Sequence, residues 1–220
     1  MLKTASAREI SMATIFNTMR ILKKVNQGDQ YLEAYKGHLH RSGEDFYDIY
    51  MLMWDIAQKY APKRILEIGT RTGISLCQLL SAYIDTSAIE RIVSVDLFDD
   101  GFISPALVKR NLNYLNLPAD KVEFRKGDSR KILHELYEEG ATFSYILVDG
   151  GHDRDICKAD LDNAHALLEI DGLLICDDVS DNEGECNLIG VWNDFINSHP
   201  GKYQTFVDMA GKGCALGVRL

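Results

Sequence analysis

Positive charge is scarce in this chain: 24 Lys and Arg stand against 33 Asp and Glu, a formal net charge of −9. A protein that tracks a phosphate backbone needs the opposite balance, and no Lys/Arg run offers a local substitute, so no nucleic-acid partner is expected. Long apolar runs are also missing. None approaches the ~18 residues that a membrane helix needs, and the first stretch, MLKTASAREISMATIF, lacks the unbroken apolar core of a signal peptide. Paired cysteines are absent too. Cys77, Cys157, Cys176, Cys186 and Cys214 are scattered with no CxxC spacing, which argues against a disulfide scaffold or a thiolate zinc site. Cys77, Cys157 and Cys176 lie among core-like residues and read as small buried hydrophobes. Internal repeats and low-complexity tracts are lacking as well. These absences predict a soluble, cytoplasmic protein with reduced thiols.

What the chain does have is a hydrophobic share of 46% in 220 residues, enough for one ordinary domain with a real core and a small appendage. Residues 1–63 differ in texture from the rest. In EDFYDIYMLMWDIAQKY, Phe46, Ile49, Met53, Ile56 and Tyr60 recur at helical spacing, and Pro62 marks a stop. This segment is read as an N-terminal helical cap, with packing on the sheet or a homo-oligomer interface as the other uses of such helices. His38 and His40 fall in a loop before it and read as solvated loop residues.

From Arg64 to residue 220 a second texture begins. RILEIG, RIVSVD, KVEFRK, FSYILVD and GLLICDD read as strands, most of them followed by helical stretches such as ISLCQLLSAYI and DICKADLDNAHALLEI. In the latter, Cys157, Leu161, Ala164 and Leu168 form one stripe. Such alternation predicts an α/β fold, a doubly wound and mostly parallel sheet covered on both faces. The last two strands, KYQTFVDM and CALGVRL, are joined too closely by a turn at 211–213 to run parallel, so they must pair antiparallel.

The predicted carboxyl ends of these strands, where open α/β sheets bind ligands, are acidic. Glu67 lies in the first; Asp96, Asp149, and the pair Asp177 and Asp178 end later ones; Asp128 follows the third. Helix capping accounts for Asp153 or Asp155, but not for acids along a whole rim. In EIGTRTGIS, Gly69 and Gly73 stand between strand and helix, where glycine lets the backbone approach a ligand and the helix start favours an anion. A dinucleotide turn wants glycine where Arg71 stands. Asp96 suits the two hydroxyls of a ribose.

Together these residues resemble the class I S-adenosylmethionine-dependent methyltransferases, over about Arg64 to the C-terminus. EIGTRTGIS is similar to the first motif of metal-dependent O-methyltransferases of the catechol and caffeoyl-coenzyme A type, and the resemblance implies a Rossmann-like seven-stranded sheet. It also implies that the Gly69 and Gly73 backbone flanks the cofactor, that Ser75 hydrogen-bonds its methionine carboxylate, that Glu67 and Thr70 belong to the same cofactor site, that Asp96 holds the ribose, and that Asp128 and Ser129 of GDS sit beside the adenine. VDGGH at 148–152, followed by DD at 177–178, resembles the macrolide-sugar O-methyltransferases. That likeness implies that Asp149, Asp177 and Asp178 hold Mg²⁺ or another hard cation, with His152 as the catalytic base and Asp149 beside it. Oxygen-rich ligation suits such ions. Asp149 and Asp177 rank first as ligands: neighbours in a strand point to opposite faces, so Asp178 joins them only if the strand ends and the backbone turns.

The expected reaction is methyl transfer to a hydroxyl of a small molecule or sugar. Two alternatives stand beside it: a relative that keeps the cofactor fold with other chemistry, such as the cephalosporin-hydroxylase-like group, and an NAD(P)-binding oxidoreductase, which the first-turn pattern disfavours. A nucleic-acid base methyltransferase is disfavoured by the acidity and by the lack of an Asn/Asp-Pro-Pro-aromatic motif. His134, His165 and His199 fall on predicted helices or their ends and read as structural.

Overall fold

A computed structural model describes residues 53, 56–99, 101, 103–180, 187–209 and 212–220. Short β-branched stretches become strands here because both sheet faces are covered, so they need not alternate with polar residues. The first, β1 (Arg64–Ile68), has four consecutive buried residues. Then come α1 (Ile74–Ser81), β2 (Arg91–Asp96), α2 (Pro105–Tyr114), β3 (Val122–Lys126), α3 (Ser129–Glu138), β4 (Phe143–Val148), α4 (Arg154–Leu167), β5 (Leu168–Asp177), α5 (Ile189–Ser198), β6 (Tyr203–Asp208) and β7 (Cys214–Arg219).

The sheet order is β3-β2-β1-β4-β5-β7-β6. β1 to β5 pair parallel, and β7 runs antiparallel between β5 and β6. The seven-stranded, mostly parallel sheet expected from the sequence is therefore present. One face carries α1 and α2, the other α3, α4 and α5. Phe143 and Tyr145 lie on opposite faces although they are two residues apart, because the β4–β5 register slips between them.

Two expectations are adjusted. The helix read through Ile170 stops at Leu167. Leu168 takes an extended backbone and pairs with Phe143 of β4, so the last residue of the apolar stripe is a strand residue. Of the N-terminal stripe, Met53 and Ile56, together with Ala57, are buried in the same cluster as Ile65 and Leu79, whereas Tyr60 is exposed. That end of the segment is part of the core on the α1 face. Phe46, Ile49, His38 and His40 lie outside the described residues, as does Cys186. Among the described residues no helix is long and apolar enough to cross a membrane.

Candidate active site and metal centre

Strand order reverses between β1 and β4, so the loops leaving their carboxyl ends diverge and open a crevice. Two close approaches shape it. Gly69, at φ 90°, lies so near the next loop that a Cβ there would stand 1.8 Å from the Asp149 carbonyl oxygen. Gly73, at φ 76°, caps α1, and a Cβ there would meet Val108 Cγ1 at 2.5 Å. Neither glycine can be replaced without moving backbone or core. Gly69→Ala is expected to unfold the protein or lower its melting temperature by ten degrees or more, on the order of several kcal/mol; a thermal melt within two degrees of wild type would contradict this.

Asp96 organises the same turn. Its Oδ2 accepts from the Arg71 N–H at 2.8 Å and its Oδ1 from the Phe98 N–H, also at 2.8 Å. Arg71 (φ 47°) and Phe98 (φ 44°) both adopt the left-handed conformation that side chains disfavour. Charge-assisted bonds to one carboxylate offset that cost, which is how Arg71 stands where a dinucleotide turn has glycine. A carboxylate has about four acceptor sites, so two remain for a ligand.

Beneath the turn is a buried polar layer. Glu67 accepts a hydrogen bond from the Ser75 hydroxyl, and Thr70 Oγ1 lies 2.6 Å from Ser94 Oγ. Glu67 is 2% exposed, and burial pushes its carboxyl up to about 7. Its Oε2 and the Thr72 hydroxyl are buried without a hydrogen-bond partner among the described residues. Ser75, also buried, donates to Glu67 rather than into the crevice. Asp128 caps α3 by accepting from the Arg130 N–H at 3.0 Å, and the Arg130 guanidinium beside it holds its carboxyl down at about 2. Ser129 opens that helix, half-buried. Asp153 is the cap of α4.

The register puts Glu67, Ser94 and Leu147 side by side, and Leu147 beside Ile175. Just beyond, Asp149 follows the end of β4 and Asp177 ends β5, and the charge of Asp177 reaches Asp149. Asp178 escapes the alternation rule: β5 ends at Asp177 and Asp178 turns to φ 59°. As a result Asp149, His152 and Asp178 offer ligand atoms that all lie within 4.8 Å of one another. That group contains Asp178, the aspartate ranked lower from the sequence, and not Asp177.

His152 Nε2 is 2.7 Å from Asp178 Oδ2; the histidine is 45% exposed and the aspartate 5%. The bond to Asp178 raises the His152 pKa despite partial burial. Burial first, then the charges of Asp177 and Asp178, push Asp149 well above the usual carboxylate range, with Arg71 opposing. Asp177 rises to about 7 through burial and the charge of Asp178. Acids that resist ionisation side by side form an environment short of positive charge.

Lys212 is a participant the sequence reading missed. Its Nζ lies 3.7 Å from Asp178 Oδ1. The available signal was topological: a lysine between two glycines at the tip of a hairpin whose strands return to the carboxyl end of β5.

A family model for the methyltransferase domain matches residues 66–179, just over half of the chain. Similar solved structures include an O-methyltransferase from Bacillus cereus in complex with SAH, 18% identical, covering 91% of each chain with a TM-score of 0.65. The O-methyltransferase TomG from Streptomyces achromogenes, solved with SAM and involved in tomaymycin synthesis, is 22% identical over 76% of this chain and 78% of its own, with a TM-score of 0.59. SAH-bound methyltransferase PaMTH1 from Podospora anserina is 18% identical over 92% of this chain and 87% of its own, with a TM-score of 0.62. Comparison with curated proteins finds no match. The matched span runs from within β1, through the glycine turn and the VDGGH loop, to the residue after Asp178, and on that match the chain belongs to the methyltransferase domain family.

Proposed function

We propose that this protein transfers the methyl group of S-adenosylmethionine to a hydroxyl of a small molecule or sugar, assisted by Mg²⁺ or a similar hard dication at the acidic rim. The observation that carries this reading is the grouping of Asp149, His152 and Asp178 on the loops beside the glycine turn, whose Gly69 packs against the Asp149 backbone. Two features fit this reading. Gly69 lets the first turn close directly onto the Asp149 backbone, which brings the glycine turn and the acidic loop together. The buried Oε2 of Glu67 is an acceptor in search of a donor, which the ammonium of a methionine end provides. Gly69, Thr70, Gly73 and Ser75 would flank that end, Asp96 the ribose, and Asp128 and Ser129 the adenine. Asp149 and Asp178, with Asp177, whose charge reaches Asp149, would hold the cation through oxygen.

When bound, the cofactor supplies an electrophilic methyl and the dication supplies Lewis acidity towards the substrate hydroxyl. The chain's own part is proton transfer and positioning. If the Nε2–H of His152 donates to Asp178, Nδ1 is the basic nitrogen and accepts the hydroxyl proton as oxygen takes the methyl. Asp178 fixes the imidazole plane and favours the imidazolium that results. Beyond its core-packed end at Met53, Ile56 and Ala57, the N-terminal segment 1–63 is assigned to the acceptor side as a cap, with a homo-oligomer interface as the other use of that stretch.

Radiolabelled S-adenosylmethionine offered with a panel of hydroxylated acceptors tests the reading: label should appear in an ether product. Transfer only to nitrogen or carbon acceptors would overturn the O-methylation, and absence of any transfer by a cofactor-binding protein would favour a relative with other chemistry. Asp96→Ala is expected to weaken S-adenosylhomocysteine binding at least tenfold, about 1.4 kcal/mol, by calorimetry. Tight NADH binding with none for the adenosyl compound would defeat the cofactor assignment.

A further inference from the structure

We propose that Lys212 is a built-in counter-cation of the rim that stands where a metal ion approaches Asp178, so that it sets the affinity of the site. The proposal rests on the metal reading above and adds to it a residue from outside the acidic set.

Lys212 is not a stray surface lysine. The turn that carries it is fastened to the loop after β5 by two backbone bonds, Ser180 N–H to Lys212 O at 2.7 Å and Val179 N–H to Gly213 O at 3.2 Å. Gly213, at φ 71°, permits this closeness, since a Cβ there would stand 2.8 Å from Ser180 Cβ. The fastening places the side chain, 27% exposed, against a carboxylate that is 5% exposed. Its charge extends further: Lys212 lowers the pKa of both Asp177 and His152.

Asp178 has two oxygens with different partners. Oδ2 takes the His152 imidazole at 2.7 Å, while Oδ1 faces the Lys212 ammonium at 3.7 Å. A dication that binds Asp178 through Oδ1, with the imidazole bond kept, meets the Lys212 ammonium beside it. Two cations cannot share one carboxylate oxygen in so recessed a place without strong repulsion. A bound metal therefore either bears that repulsion or displaces Lys212 from Asp178, and metal affinity contains the cost in both cases. In the metal-free protein the same lysine offsets repulsion among Asp149, Asp177 and Asp178.

Mn²⁺ titration of the full chain, read by electron paramagnetic resonance of the free ion, tests this. Lys212→Met, which keeps side-chain length without charge, should tighten Mn²⁺ binding about tenfold or more relative to wild type, while Lys212→Arg should remain near wild type. Lys158→Met is the charge control. Lys158 pairs with Asp162 on the exposed face of α4 rather than with a rim acid, so its loss should shift affinity less than twofold. Thermal melts supply the second reading: Lys212→Met should melt below wild type without metal and match it in saturating Mn²⁺. Unchanged or weaker Mn²⁺ binding in Lys212→Met, with wild type binding normally, would overturn the role of the lysine alone. Failure of both proteins to bind Mn²⁺ would remove the metal reading and this proposal with it.

Discussion

Excess chelator is expected to abolish methyl transfer, and Mg²⁺ to restore it, while S-adenosylhomocysteine binding persists. The separation follows from the layout. Cofactor contacts are assigned to the ends of β1, β2 and β3, whereas the dication is assigned to acids after β4 and β5. Asp149→Ala and Asp178→Ala should copy chelation, since each removes an anionic oxygen from the group within 4.8 Å. His152→Ala should retain the metal and lose about 10²–10⁴-fold in turnover, the usual worth of a general base. Its residual rate should climb with pH as hydroxide replaces the imidazole. Steady-state kinetics beside Mn²⁺ titration distinguishes the two classes of variant. Full activity in chelator would remove the cation from the reaction, and an undiminished His152→Ala enzyme would return that histidine to a structural part.

Metal-free protein is expected to be more stable near pH 5.5 than near pH 7.5, with Mg²⁺ reversing much of the loss. Glu67 and Asp177 both titrate near 7 in the folded chain, and Asp149 is also raised. In the unfolded chain such carboxyls ionise near ~4. Between about 4 and 7 the folded state thus keeps protons that the unfolded state has released. Stability falls as pH rises through that window, at up to ~1.4 kcal/mol per pH unit for each group. A dication favours the ionised forms and counters the fall.

His165 runs the other way. Burial first, helped by neighbouring His199 and Arg219, lowers it to about 4, so its contribution is full above the unfolded value near ~6.5 and fades as pH drops through 4. Melts of wild type and His165→Gln across this range, with and without Mg²⁺, separate the two trends. A metal-free wild type that is equally stable at pH 7.5 would show that the rim acids are ionised at no cost.

The parallel sheet was legible because βα alternation is periodic, and a reversed final strand follows once two strands are joined by a tight turn. The acids at strand ends were legible for the same reason, since strand ends are visible as places where apolar runs stop. The ranking of Asp177 over Asp178 rested on alternation, which assumes a continuing strand. Nothing local announces that Asp178 turns left-handed at φ 59°, although aspartate tolerates that conformation better than most residues. Ser75 shows a second limit: motif position marks it as near the cofactor, but its hydroxyl is spent on Glu67, a partner known only once α1 is docked on β1. Lys212 was out of reach because its neighbour Asp178 lies over thirty residues away along the chain.

The reversal of β7 has a consequence for how this site can change. The loops after β1 to β4 each lead into a helix that packs on the sheet. The β6–β7 tip leads into no helix. Its strands are anchored by pairing on both sides of β7, and Lys212, just before β7, lies beside Asp178. Lengthening or recolouring it with other side chains would remodel one wall of the crevice while the glycine turn and Asp96 stay where they are. If the proposed function holds, a library confined to residues 209–211, which spares Lys212, is a route to altered acceptor preference with the glycine turn and Asp96 untouched.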